Sequence, residues 1–236
     1  MPDIVATATD GWTRGGPVGP DWEDASNHAG TSIDSNNTRD SEGVAALYFS
    51  MRGTYIVRRS YFMFNTTGIS VAPASATLKI YGYGFGEGNL IVVKSAHDNA
   101  SLHSSDFRDG LSDVTGGSGG AIDTALTASD GSNGGTFASI TGFKYTDSPT
   151  SSWSTSGYNN MTLNADALAD MASLNYFKIC LMNYDYDFLD AEVTSPPAFV
   201  RNGLWWSDGG GSEVPTLSYS VTAITADNAT FFGTNF

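Results

Sequence analysis

Short runs in which apolar and polar residues alternate recur along the whole chain, each closed by a cluster of Gly, Asn, Asp or Ser. A side chain that changes face at every residue belongs to a strand with one buried face, whereas a helix repeats every three to four residues. The pattern predicts strands near "IVATAT", "AALYFSM", "YIVRRSYFMFN", "ATLKIYGYG", "LIVVKSA", "TFASITGFKY", "YNNMTLN", "YFKICLMNYDYDF", "FVRNGLWWS" and "PTLSYSVT". That is about ten strands, enough for two packed antiparallel sheets. From Ile56 to Phe64 one face carries Ile56, Phe62 and Phe64, and the other Arg59, Tyr61 and Met63. In the next run Leu78 and Ile80 oppose Thr77, Lys79, Tyr81 and Tyr83, so the two strands have compatible inner faces. The run from Phe177 to Phe188 starts apolar on both faces, the mark of a central strand covered on both sides.

Composition agrees: 27 Gly, 13 Phe, 11 Tyr and 5 Trp describe short strands and many turns. One short helix is predicted over "NADALADMASL", where Asn164 caps and Ala167, Leu168, Met171 and Leu174 share a side. The Gly-, Ser- and Asp-rich stretch from Gly116 to Gly135 reads as a long surface loop, because Ile122, Ala125 and Leu126 lie within it. With no fixed-period repeat, residues 1–222 form one domain. Residues 223–236 form an aromatic tail whose Phe231, Phe232 and Phe236 are expected to pack on a partner subunit.

A formal charge of −14 repels a phosphate backbone, which argues against nucleic acid as a partner and for a soluble acidic surface. The single cysteine, Cys180, sits in the apolar run "FKICLM" and reads as a buried inert thiol. The start "MPDIVATATDGW" lacks the basic and apolar segments of a signal peptide, and no window approaches a membrane span. The chain is therefore expected to be made and folded in a cytoplasm.

Few residues promise chemistry. His28, His97 and His103 stand in polar contexts and read as solvated loop side chains, and no nucleophile elbow, phosphate loop or zinc helix occurs. In "NYDYDFLDAE", Asp185 and Asp187 fall on one strand face and are followed by Asp190 and Glu192. Such a face is solvated or binds a structural Ca²⁺ through hard oxygen ligands, chiefly Asp185, Asp187 and Asp190. A carboxylate pair for glycoside hydrolysis is the competing reading. In "FVRNGLWWS", Val200, Leu204 and Trp206 share one face and Phe199, Arg201 and Trp205 the other, so one tryptophan faces out. Trp205 with Arg201 then serves a subunit contact or a stacking platform for a sugar ring. Trp12, Trp22 and Trp153 lie in loop-like segments open to either use.

The stretch "RRSYFMFNTTGISVAPASATLKIYGYG" resembles the DNRLRE-type jelly-roll modules through Arg59, Phe62, Phe64, Ile69, Pro73, Ala74, Ala76, Leu78 and Tyr81. Pro215, Leu217 and Tyr219 are similar to that family's closing strand, and Asn65 stands where its pattern has Asp. The resemblance spans about residues 54–222 and implies a jelly-roll β-sandwich that is carbohydrate-binding-like and carries no catalytic residue. The segments "SSWSTSGYNNMTLN", "NYDYDFLD" and "DNATFFGTNF" resemble tailed-phage structural proteins more than secreted modules. The function this implies is non-enzymatic: a virion protein, capsid decoration or fibre, assembling with copies of itself and other virion proteins, and adhering to host glycans. The alternative is a carbohydrate-binding module of a secreted or cell-surface protein.

Overall fold

The computed structural model describes residues 2–16, 22–27, 30–36, 38–49, 52–107, 111, 137–194, 199–209 and 211–221. His28, the loop from Gly116 to Gly135 and the tail with Phe231, Phe232 and Phe236 lie outside the described residues. Among the described residues eleven strands make an all-antiparallel sandwich of jelly-roll type. They are β1 (Asp3–Val5), β2 (Gly11–Gly15), β3 (Ser32–Asp34), β4 (Arg39–Phe49), β5 (Thr54–Asn65), β6 (Ser75–Gly86), β7 (Leu90–Lys94), β8 (Tyr158–Thr162), β9 (Tyr176–Asn183), β10 (Phe199–Trp205) and β11 (Thr216–Ser220).

The smaller sheet runs β1-β11-β6-β8. In the larger one β5 is the hub. Its residues Val57 and Arg58 pair with both β2 and β4, and Ser60 and Tyr61 with both β2 and β9. Hence β2 takes one edge of β5 while β4 and β9 follow one another along the opposite edge; β3, β10 and β7 extend the layer outward. The long β6 joins the layers. Its first half pairs with β8 and β11, and Gly82 and Gly86 pair with β10.

Phe62, Phe64, Ala76, Leu78 and Ile80 meet between the sheets with Phe177, Ile179, Leu181, Leu204, Trp206 and Leu217, as the alternation predicts. Each large apolar side chain so buried contributes about 1.5–3 kcal/mol. The predicted helix, α2 (Ala165–Ser173), follows a six-residue α1 (Trp22–Asn27) in the chain. Asn164 caps α2 by accepting from Ala167 N at 3.1 Å, and Ala167 and Met171 enter the core, while Leu174 is 44% exposed at the far end.

The second face of the larger sheet is also covered, by loops. Leu102, Leu111, Phe137, Phe143 and Phe188 pack on Tyr61, Ile91, Val93, Cys180 and Met182, while Trp22, Ala25, Phe107 and Val193 pack on Ala46, Tyr55 and Val57. β9 is thus the central, doubly covered strand its composition predicts. Three local expectations fail. "TFASITGFKY" forms a 3₁₀ turn, Phe137–Ser139, and one isolated bridge at Lys144, because its apolar residues cap a sheet and do not extend one. β9 ends at Asn183, whose side chain accepts from Tyr186 N at 2.9 Å and starts a π-helical turn over Tyr184–Phe188. Trp12, expected in a loop-like segment, stands in β2, which carries no clear alternation in sequence and yet is almost wholly buried.

Candidate functional site

The π-helical turn disperses the predicted carboxylate face. Asp187 is buried and holds Arg59 through two bonds, Nε to Oδ2 at 2.8 Å and Nη2 to Oδ1 at 2.6 Å. Arg59 also donates to the carbonyls of Phe107 at 2.5 Å and Ser26 at 2.7 Å, and lies 3.9 Å over the Phe107 ring. Burial alone lowers the pKa of this guanidinium, but the charge and hydrogen bonds of Asp187 prevail and the net shift is upward. Asp185 instead accepts from Asn89 Nδ2 at 3.0 Å. Asp190, at a left-handed φ of 52°, accepts from Trp22 Nε1 at 3.2 Å. Glu192 accepts from the Tyr55 hydroxyl. The three candidate calcium ligands therefore have separate partners, and among the described residues no three His, Cys, Asp or Glu side chains are placed to hold a metal ion.

Two other predicted groups are interior. Cys180 is buried and its thiol pKa is pushed up by burial, as expected of an inert cysteine. His97 corrects the sequence reading: it is fully buried, with Nδ1 2.8 Å from Ser95 Oγ and its ring edge-on to Tyr61. Burial first, then the charge of Lys178, depresses its pKa to about 3, so it is neutral. His103 is exposed, as read. Trp12, Trp22 and Trp153 are buried, each with its indole N–H donating: to Asp40 at 3.2 Å, to Asp190 at 3.2 Å and to the Gly203 carbonyl at 3.0 Å.

What remains outward is aromatic. The register of β10 slips by two residues around Gly203, where a Cβ would lie 1.8 Å from the Tyr83 carbonyl oxygen. A two-residue slip preserves the alternation, so Trp206 stays inside at 1% exposure and Trp205 outside, as predicted. Trp205 meets Tyr81 and Tyr83 edge-on, each with ring centroids 6.4 Å away. The exposed Arg39 lies 4.4 Å from the Tyr83 ring and 4.8 Å from that of Trp205. On the other side Tyr158 stands edge-on to Tyr81 at 5.2 Å, extending the row onto β8.

Arg201, paired with Trp205 in the sequence reading, heads a second cluster on the same strands. It lies 3.6 Å over Phe85 and 5.7 Å from Phe199, with Phe49 edge-on to Phe199. Its charge is met by Glu87 at 3.1 Å and Glu42 at 3.3 Å, and hydrogen bonding to Glu87 raises its pKa. Arg39 has no such ion pair among the described residues. Among the described residues the face thus offers one guanidinium with an ion pair and one without, each stacked on aromatic rings.

Beside Tyr158 the surface turns polar. Depressions of about 260, 400 and 360 Å³ surround β8, lined mainly by Ser, Thr and Asn with Lys79 and Asp3 at one end. The row of Tyr158, Tyr81, Trp205, Tyr83 and Arg39 together with this hydroxyl- and amide-lined border is the candidate site. Trp205 and Arg201 were legible from strand parity. Arg39, Tyr83 and Tyr158 were not singled out, though the outward parity of Tyr81 and Tyr83 was. No helix among the described residues is long and apolar enough to cross a membrane. No protein-family model matches the chain, and no curated protein matches it.

Proposed function

We propose that the protein is a non-enzymatic structural component of a tailed-phage virion, a capsid decoration or fibre protein, made in the host cytoplasm and joined to its neighbours through the outer aromatic face. The observation that carries this reading is Arg39 stacked on both Tyr83 and Trp205 at 4.4 and 4.8 Å while exposed to solvent. Trp, Tyr and Arg dominate the energetics of protein contacts because each brings a large rigid surface and a directed polar group that gain most when water leaves. Here they are gathered on one face of an otherwise acidic molecule. A partner that supplies a carboxylate to Arg39 and apolar surface to the rings meets both requirements. The resemblance of "SSWSTSGYNNMTLN" and "DNATFFGTNF" to phage structural proteins supports the choice of particle. The test is mass spectrometry of purified particles. The chain is expected in wild-type particles and depleted when Trp205→Ala and Arg39→Ala are combined; its absence from wild-type particles overturns the proposal.

A second reading, a carbohydrate-binding module, is favoured by one specific feature. The exposed Tyr158 borders a depression of about 400 Å³ whose walls are hydroxyls and amides, and such a site offers a sugar both a ring to stack on and groups to bond. Glycan-array binding that is lost in Tyr158→Ala and Trp205→Ala, with folding intact, selects this reading. An array without wild-type binding removes it.

A further inference from the structure

The free side of β8 has the hydrogen-bonding pattern of a strand awaiting a neighbour. Gly82 N donates to the Gly157 carbonyl at 3.0 Å, and Leu163 N to the Ala76 carbonyl at 3.0 Å. In an antiparallel ladder bonded pairs alternate with unbonded ones. The register therefore turns the backbone groups of Asn159 and Met161 toward β6, and those of Tyr158, Asn160 and Thr162 away from it. Among the described residues no backbone group pairs with these outward donors and acceptors. Nor is this edge blunted in the usual ways, since "YNNMT" contains neither a charge nor a proline.

A slot lies beside this edge. The segment from Thr146 to Ser154 follows β8 and is tied to it near both ends, by Asn164 N to the Tyr145 carbonyl at 2.8 Å and by Ser154 N to Asn159 Oδ1 at 2.7 Å. Between those ties it stands off from β8, leaving the adjoining depressions of about 260 and 400 Å³. Met161 lines one end, and Thr146, Ser148, Thr150 and Ser151 lie opposite the strand. An extended chain laid in the slot bonds to β8 on one side and meets Ser148 and Ser151 on the other, where Thr146 and Thr150 already accept from Val92 N and Leu90 N of β7.

We infer that the slot takes an added strand from a second copy of this chain, supplied by residues 225–236. Those residues lie outside the described structure, and the case for them rests on sequence and tether. "TADNATFFGTNF" has a single charged side chain, Asp227, so its neutral residues are not repelled by Asp147, the one charged side chain that lines the slot of this acidic protein. Its Thr and Phe residues favour extended backbone. The last described strand, β11, is separated from β8 only by β6, and the slot lies on the far side of β8, so the chain leaves the sheet about 14 Å to the side of the slot. Exchange of this segment between copies then spans a short distance. The slot is the polar border of the candidate site and shares Tyr158 with the aromatic row, and a backbone test at Asn160 tells it apart from the rings.

Sedimentation velocity on the full-length protein tests it. Wild type is expected to associate, and an excess of synthetic peptide 225–236 to return it to monomer. Asn160→Pro deletes the outward N–H at the middle of β8, a change that an edge strand tolerates. It is expected to keep its circular dichroism and to weaken association and peptide binding by at least about tenfold. Asn160→Ala, which retains the N–H, associates like wild type. Independently of any variant, hydrogen exchange in wild type should show the amides of Tyr158, Asn160 and Thr162 protected in the oligomer and exposed on dilution. Wild type that neither associates nor binds the peptide overturns the inference. So does Asn160→Pro with undiminished association, protection that persists in a monomer, or a slot that binds glycans and not the peptide.

Discussion

Asp187→Asn is predicted to destabilise the fold by about 3–5 kcal/mol, the cost of breaking a buried ion pair from one side. The side chains of Arg59 and Asp187 are 1% and 0% exposed, so water does not replace what the substitution removes. Asparagine keeps the shape of aspartate but withdraws the charge and turns an N–H₂ toward a guanidinium that has only N–H groups to offer. The cation then retains the carbonyls of Phe107 and Ser26 and the face of the Phe107 ring, none of which carries a compensating charge. At an effective dielectric of about 20, one unit charge about 4 Å from another is worth about 4 kcal/mol, which agrees with the mutational range.

For a chain of this length the loss lowers the melting midpoint by about 10 °C. Urea unfolding followed by tryptophan fluorescence gives the free energy directly. A double variant, Arg59→Met with Asp187→Leu, should recover most of it, because an apolar pair has no charge to leave stranded. An Asp187→Asn protein within about 1 kcal/mol of wild type refutes the reasoning. Calcium that stabilises wild type but not Asp187→Asn restores instead the metal-ligand role that the sequence offered for this residue.

Three further outcomes follow from burial and charge. Trp206→Ala should cost about 3–5 kcal/mol in chemical denaturation and Trp205→Ala well under half of that, since only Trp206 fills the core. Burial pushes the Asp10 carboxyl up to about 7 against the bonds from Ser207 N and Oγ that pull it down. Its folded value lies above its unfolded one, so the folded state holds a proton that the unfolded state lacks between about pH 4 and 7. Stability from this group falls as pH rises through that window and is flat above it; Asp10→Asn should remove that slope from the melting curve against pH. Cys180 should resist thiol-modifying reagents in the native protein and react once denaturant exposes it. Rapid native labelling would mean that the loop cover over β9 opens.

The sequence spoke clearly wherever the question was one of parity. Phe62 and Phe64 inward with Leu78 and Ile80, and Trp206 in while Trp205 is out, follow from the two-residue repeat of a strand, which is local and survives the slip at Gly203. It was silent or misleading wherever distant parts of the chain decide. Asp187 looked solvated because its partner is 128 residues away, and His97 looked solvated because its cover comes from other segments. "TFASITGFKY" has the apolar content of a strand, but packing over a sheet needs apolar area without a ladder, and alternation does not separate the two. "GWTRG" failed in the opposite direction: glycines hide its pattern, and pairing with β5 and β3 makes it a strand.

Burial on both faces has a consequence for where partners can act. The larger sheet places Arg59, Asp187, His97 and Cys180 beneath its loop cover, so the groups with the most reactive side chains hold the fold and do not meet solvent. Among the described residues, open aromatic and polar surface lies along β6, β8 and β10. β6 governs this surface, because it belongs to both layers: Ala76, Leu78 and Ile80 anchor its first half in the core, and Tyr81, Tyr83 and Phe85, which follow on the opposite parity, are presented outward. Anchoring in the core fixes the spacing of the outer rings. A surface held this way is suited to meeting another rigid surface.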